Sequence, residues 1–166
     1  MKAFVEAVEA HDDRLRALCF QMVGDSDDVS DLLQESYLKA YKALPSFRGE
    51  SSLSTWLYRI VFRTCVDHLR STKRRPTCST DELPEPQDPA PQPSELTERF
   101  GTLGKALASL PVEQRAAVFL VDAAEFGYAE AADVLGEAVG TVASRVARAR
   151  GSLRAALRRS DTDGEL

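Results

Sequence analysis

The sequence is poor in the residues from which catalytic and metal sites are built. It holds two histidines, His11 and His68, and three cysteines, Cys19, Cys65 and Cys78, an odd number with no CxxC spacing. That pattern advertises no zinc site, so reduced and mostly buried cysteines are expected, with no metal and no cofactor. A glycine-rich phosphate loop is missing, because GESS and GDS lack both the spacing and the lysine, and neither GxSxG nor HExxH occurs. Asp67 and His68, adjacent on a helix, point about 100° apart and make no dyad by themselves. No enzyme is expected. The chain also lacks a signal peptide and any run of about 18 apolar residues, which points to a soluble, cytoplasmic protein.

Basic residues are absent from one whole segment. Residues 76–98 carry no Lys or Arg against six acids, whereas 1–75 carry 12 against 11 and 99–166 carry nine against nine. The net charge of −5 therefore belongs to the middle piece. The stretch PTCSTDELPEPQDPAPQPSE, 76–95, holds six of the eight prolines and cannot pack a core, so it is expected to be an extended acidic linker. It divides the chain into two small domains, 1–75 and 96–160. Charge is sorted again inside them. Residues 25–35 have five acids and no base, 59–75 have six bases and one acid, and 140–159 have six arginines and no acid. Sorting of this kind suggests separate surfaces for oppositely charged partners.

Alternating runs long enough for a strand are also missing, and the periodicity is helical throughout. The fold class is all-α: two small helical domains, with a helix-turn-helix in the second. Ala3–Val23 keeps Phe4, Val8, Leu15, Leu18, Cys19 and Met22 on one face. A second helix follows a cap at Asp25 or Ser26, with Val29, Leu32, Leu33, Tyr37, Ala40, Tyr41 and Leu44 as its apolar set. The third begins after Gly49 with Ser51 or Ser52 as N-cap, and turns Leu53, Trp56, Leu57, Ile60, Val61, Cys65 and Leu69 inward. In the second domain Leu96, Phe100, Leu103, Leu107 and Leu110 recur at 4-3-4-3 spacing, and Pro111 opens a helix to about Asp122. A short helix at 128–135, a turn at Gly136 and a longer helix from about Gly140 then complete a helix-turn-helix pattern. Val142, Val146, Ala149, Leu153 and Leu157 line the inner face of the last helix.

The third helix poses the functional question. Trp56, Tyr58 and Phe62 fall within seven residues and are interleaved with Arg59 and Arg63. Trp56 is in register with the inner stripe. Tyr58 and Phe62 lie off it, where they serve either as a stacking platform for exposed bases or as packing against a neighbouring helix. Arg59, Arg63 and Arg70 form a basic stripe, which alone reads either as a solvated face neutralised in part by Asp67 or as a nucleic-acid contact; a helix-turn-helix on the same chain tips it toward nucleic acid. The acidic run 25–35 reads either as a helix N-terminus favoured by the macrodipole or as a dock for a basic partner.

These residues carry a family resemblance. DLLQESYLKAYKALPSFRGESSLSTWLYRIVFRTCVDHLRSTKRR resembles region 2 of the bacterial extracytoplasmic-function (ECF) sigma factors of the sigma-70 family. LPVEQRAAVFLVDAAEFGYAEAADVLGEAVGTVASRVARARGSLRAAL looks like their region 4. The resemblance implies an alternative sigma factor whose partners are core RNA polymerase, through the clamp helices of the largest subunit and the flap, and promoter DNA. An anti-sigma factor is a further partner that it allows. It assigns polymerase docking to Asp31, Gln34 and Glu35. The −10 element falls to Phe47, Arg48, Trp56, Tyr58, Arg59, Phe62, Arg63 and Arg70, with aromatic groups taking unstacked bases and arginines the phosphates. The −35 element falls to Thr141, Ser144, Arg145 and Arg148, which read duplex in the major groove. It also implies that the linker threads the polymerase cleft, where its acids stand in for nascent RNA. Two departures stand out: Ala143 at an often basic position, and Glu137-Ala138 in place of an apolar-Pro turn. The rival reading is a two-domain helix-turn-helix regulator independent of the polymerase, which would leave the acidic docking run unexplained.

Overall fold

The computed structural model describes residues 1–74 and 95–163, and no strand occurs among them. The expected linker, Cys78 included, lies outside the described residues apart from Glu95. Seven α-helices are present among those described: α1 (Lys2–Val23), α2 (Ser26–Ala43), α3 (Leu53–Arg74), α4 (Glu95–Ala108), α5 (Val112–Val118), α6 (Tyr128–Leu135) and α7 (Val139–Asp163). The first three form one bundle and the last four another, so the chain is all-α in two regions.

Local chemistry sets most of the boundaries. Gly24 ends α1 in the left-handed region at φ 73°, with its N–H on Phe20 O. Asp25 then caps α2, its carboxylate accepting the Asp27 N–H at 2.8 Å. Pro45 cannot extend α2, and Leu44–Ser46 tighten into a 3₁₀ turn. Ser52 Oγ accepts the Thr55 N–H at 3.0 Å and so starts α3. In the second region Gly101, at φ 54° and ψ −128°, breaks the regular winding of α4. The break takes Phe100 and Leu103 off the face that the 4-3-4-3 spacing predicts, and both stand more than two-fifths exposed, while Leu110 is buried. After Val118 the chain loosens to a π-turn over Phe119–Ala123, with the Ala124 N–H on Phe119 O at 2.9 Å. Glu125 follows at φ 61°, the one non-glycine with positive φ among the described residues.

The two bundles are not separate cores. A single apolar cluster runs from Phe4, Leu15 and Leu18 of α1, through Leu33 of α2 and Leu57 and Val61 of α3, to Ala116, Leu120, Val134, Val142 and Val146. Beneath it, Cys65 donates to Cys19 across α3 and α1 at 3.2 Å. That hydrogen bond, together with burial, pushes the Cys65 thiol far above its ordinary range. Both cysteines are buried packing groups.

Polar contacts stitch the seam between the bundles. Arg115 is wholly enclosed and donates to Gln21 O at 2.8 Å and Leu110 O at 3.1 Å, so a guanidinium from α5 closes the carbonyl end of α1. No basic residue of α1 itself occupies its last turn. Burial pushes the Arg115 guanidinium down to about 10. Arg14 reaches Glu125 at 3.3 Å. Tyr58 sits edge-on to both His11 (5.8 Å) and Phe126 (4.7 Å). Four buried polar atoms find no hydrogen-bond partner among the described residues: His11 Nδ1, Gln21 Oε1, Tyr58 Oη and Arg115 Nε. All four belong to residues at this seam.

Two stability outcomes follow from these contacts. Arg115→Ala removes two charge-assisted hydrogen bonds and is expected to lower the unfolding free energy by about 3 kcal/mol in urea titration; a loss under about 1 kcal/mol would show that the seam does not depend on it. Tyr58→Phe deletes a buried hydroxyl without a partner and is expected to raise stability by about 1 kcal/mol. Burial pushes the Tyr58 phenol up to about 12, above its unfolded value. The unfolded chain therefore loses this proton first, and wild-type stability drops as pH rises from about 10 towards 12. The Phe variant should lose less over that window, and equal alkaline slopes would contradict the assignment.

Candidate nucleic-acid interface

The loop between α2 and α3 and the first turns of α3 enclose a cavity of about 170 Å³, lined by Ser46, Phe47, Arg48, Glu50, Ser51, Trp56 and Arg59. Its shape depends on Gly49, whose φ of 71° turns the loop back over the helix start. The Phe47 and Trp56 rings meet at 5.1 Å and 47° and form one wall. Two arginines beside two aromatic rings suit a planar, electron-rich group flanked by negative charge. Of the residues that sequence reasoning grouped for single-stranded DNA, the structure brings Phe47, Arg48, Trp56 and Arg59 together here, with Ser46, Glu50 and Ser51 of the same loop completing the lining. Arg63 and Arg70 are exposed further along α3.

Tyr58 and Phe62 are a correction. Neither presents a stacking face: Tyr58 is 0% and Phe62 8% exposed, and both belong to the core. The apolar arc of α3 is wider than one stripe because the helix packs against α1 and α2 and also against α6 of the second bundle. The side that a two-neighbour helix would leave to solvent is thus covered.

Arg59 is held from the same direction. Its Nε donates to Asp133 O of α6 at 2.9 Å, and its guanidinium lies 3.7 Å from the Asp133 carboxylate. A pocket residue of the first region is therefore tied to the helix-turn-helix of the second.

In the second region, Gly136 at φ 70° makes the turn between α6 and α7. Thr141, Ser144 and Arg148 stand exposed on one side of α7, opposite buried Val142, Val146 and Ala149. Ala143 is exposed among them. Leu157, expected on the inner face, is over a third exposed, because α7 runs on past the helices it packs against. Arg145 is about three-quarters buried and its Nη1 lies 2.7 Å from Glu137 Oε1. Arg150 forms a two-pronged pair with Asp122 through Nε and Nη2.

A third surface lies on α2. Asp31, Gln34 and Glu35 are exposed on one face, and Glu35 pairs with Lys39 at 2.6 Å. Leu38 and Tyr41, about half exposed, continue that face. Tyr41 was expected in the core; it lies outside, against Phe4 at 6.5 Å. Asp28, in the first turn of α2, meets His68 of α3 at 3.3 Å. No cluster of three or more His, Cys, Asp and Glu side chains able to hold a metal occurs among the described residues.

With this geometry in place, comparison with known proteins identifies its class. Residues 7–75 match the family described as Sigma-70 region 2, and residues 100–153 match Sigma-70, region 4. The ECF RNA polymerase sigma factor SigM of Mycobacterium tuberculosis is 39% identical over 151 residues, which is 91% of this chain and 75% of that protein. The ECF RNA polymerase sigma-E factor of Salmonella typhimurium is 36% identical, covering 90% and 83%. Among solved structures, the sigma factor RpoE of Bartonella quintana, in complex with the anti-sigma factor NepR, matches at TM-score 0.68 and 28% identity over 95% of this chain and 98% of that one. CnrH, in complex with the cytosolic domain of CnrY, matches at TM-score 0.71 and 24% identity over 95% and 89%, a likeness of fold. Regions 2 and 4 in this order define a sigma-70 protein, a transcription initiation factor. The chain belongs to the ECF branch of that family: it is an alternative RNA polymerase sigma factor, with core RNA polymerase and promoter DNA as partners.

The pocket wall generates one test. Phe47→Ala, Trp56→Ala and the double variant, compared by chemical denaturation, are expected to show a coupling of about 0.5–1.5 kcal/mol between the two rings. Strict additivity would mean that the wall is not preformed.

Proposed function

We propose that the three surfaces divide the work of promoter-specific initiation, and the observation that carries the division is the preformed cavity at the start of α3. Its aromatic wall and two arginines suit one base flipped from the −10 element, with Arg63 and Arg70 following the phosphates of the melted strand. Thr141, Ser144, Arg145 and Arg148 read the −35 element as duplex from the exposed side of α7. Asp31, Gln34 and Glu35 dock on the largest-subunit clamp helices of the polymerase, with Leu38 and Tyr41 as apolar anchors beside them. The second region also contacts the flap. The chain contributes binding and strand capture without catalytic chemistry of its own, and it works in the cytoplasm. No described helix is long and apolar enough to cross a membrane.

Promoter engagement in this reading requires the seam to open. A compact chain of this length is roughly 40 Å across, from a radius of gyration of about 15 Å. Promoter elements two turns of B-DNA apart are separated by about 70 Å. A stretch of 20 residues reaches at most about 66 Å at roughly 3.3 Å per residue, enough to let the two regions part. The linker's acids suit the positively charged polymerase cleft. The RpoE structure is a complex with the anti-sigma factor NepR, and that of CnrH a complex with the cytosolic domain of CnrY. An anti-sigma factor that captures this closed form is the matching regulator here.

Reconstitution with purified core polymerase tests the reading. The chain should direct run-off transcription from a subset of genomic promoters, and core alone should not. Asp31→Lys with Glu35→Lys should weaken core binding about tenfold or more in a titration while leaving the helical signal intact, since exposed charges contribute little to stability. Unchanged affinity for core would remove the α2 surface from the assignment.

A further inference from the structure

Arg145 and Arg150 lie on the same helix and both pair with a carboxylate, yet the two pairs leave different atoms free. Asp122 takes Nε and Nη2 of Arg150, which is the two-donor edge that matches the O6 and N7 acceptors of guanine. Arg150 is thereby occupied. Glu137 meets Arg145 most closely at Nη1, 2.7 Å away, and no hydrogen bond from Arg145 Nε or Nη2 occurs among the described residues. The Nε–Nη2 edge of Arg145 is thus not taken up by a hydrogen bond as that of Arg150 is.

The Glu137 side chain is well placed to hold its partner still. It belongs to the turn before α7, where its own N–H is fixed on Ala132 O at 3.0 Å and Gly136 locks the preceding residue in the left-handed region. Its carboxylate and the Arg145 guanidinium are each about three-quarters buried. A pair so enclosed is screened less than a surface one and restricts the arginine to few rotamers. Arg145 sits near the start of the helix, beside exposed Thr141, Ser144 and Arg148, and exposed Ala143 adds no second cation.

We propose that Glu137 is a positioning residue: it clamps one nitrogen of Arg145 so that the free two-donor edge faces a guanine at a single position of the −35 duplex. This rests on the assignment of α7 to −35 reading and adds the base that it selects. A carboxylate in this place has two opposing effects on DNA binding. It repels phosphate, so it weakens binding to any duplex. It also removes the rotamer freedom that the arginine would otherwise lose on meeting its base, so it sharpens choice.

The experiment uses holoenzyme assembled from core polymerase and the full chain. A promoter library randomised across the −35 element is selected by transcription, and affinity for a scrambled duplex is measured in parallel. Wild type should enrich guanine about tenfold or more at one position. Arg145→Ala should flatten that position while leaving the others. Glu137→Ala should cut the guanine preference there about fivefold and raise affinity for the scrambled duplex about twofold. Glu137→Gln, which keeps shape and an acceptor, should fall between. Each variant is first checked for unchanged core binding and melting temperature. Guanine preference undiminished in Glu137→Ala, with only the non-specific rise, would make Glu137 a neutralising charge and overturn the proposal. An equal loss of selectivity at every position, shared by the Gln variant, would make it a structural turn residue and do the same. If Arg145→Ala leaves the profile unchanged, the −35 assignment of Arg145 itself fails, an outcome distinct from either.

Discussion

A buried guanidinium that forms no ion pair of its own joins the two halves of this molecule. Arg115 is enclosed completely, and its compensation comes from Gln21 O in the last turn of α1 and Leu110 O just before α5, with the Glu113 carboxylate also favouring the charged form. Removing such a charge from water costs several kcal/mol, and backbone oxygens at a helix C-terminus are among the few neutral groups that return a comparable amount. The contact has a direction as well as an energy. It fixes α5 against the last turn of α1, and the helices that follow α5 inherit that placement. Phe126 then covers Tyr58, Arg14 reaches Glu125, and Asp133 arrives over Arg59.

The electrostatic design of the basic surfaces differs from what their composition suggests. The acids that meet the arginines of these surfaces all come from the second region: Asp133 for Arg59, Glu137 for Arg145 and Asp122 for Arg150. The first is a contact between regions, and the other two are internal to the second region. The same type of pair thus ties the two regions together in one place and braces α7 in the other.

Much of this was legible in the sequence because it is local. Caps at Asp25 and Ser52, the left-handed turn at Gly136 and the acidic face of α2 follow from residues within a turn of one another. The grouping of Phe47, Arg48, Trp56 and Arg59 could be inferred because a short loop and one helix carry all four. What depended on the opposite half could not be read. Tyr58 and Phe62 look free on a helical wheel of α3, and only the arrival of α6, 74 residues further along at the Arg59–Asp133 contact, shows that side to be covered. The Leu96–Leu110 repeat fails for a different reason. A single glycine, Gly101, changes the register of the helix midway, and periodicity alone does not reveal whether a glycine is merely tolerated or used as a break. The pairing of Glu137 with Arg145 was hidden in the same way, by a turn that brings together residues eight apart.

Trp56 is the one tryptophan of the chain, and it forms the wall of the cavity at the start of α3. Indole emission from the free protein is therefore a single-site optical signal. Its colour reports the polarity around one ring beside Phe47, and its access to a soluble quencher reports whether that ring is covered. Arg59 lies one turn further along the same helix and carries the tie to Asp133, so the probe is built into the edge of the contact between the two regions. The protein comes already labelled at the place where its shape and its chemistry meet.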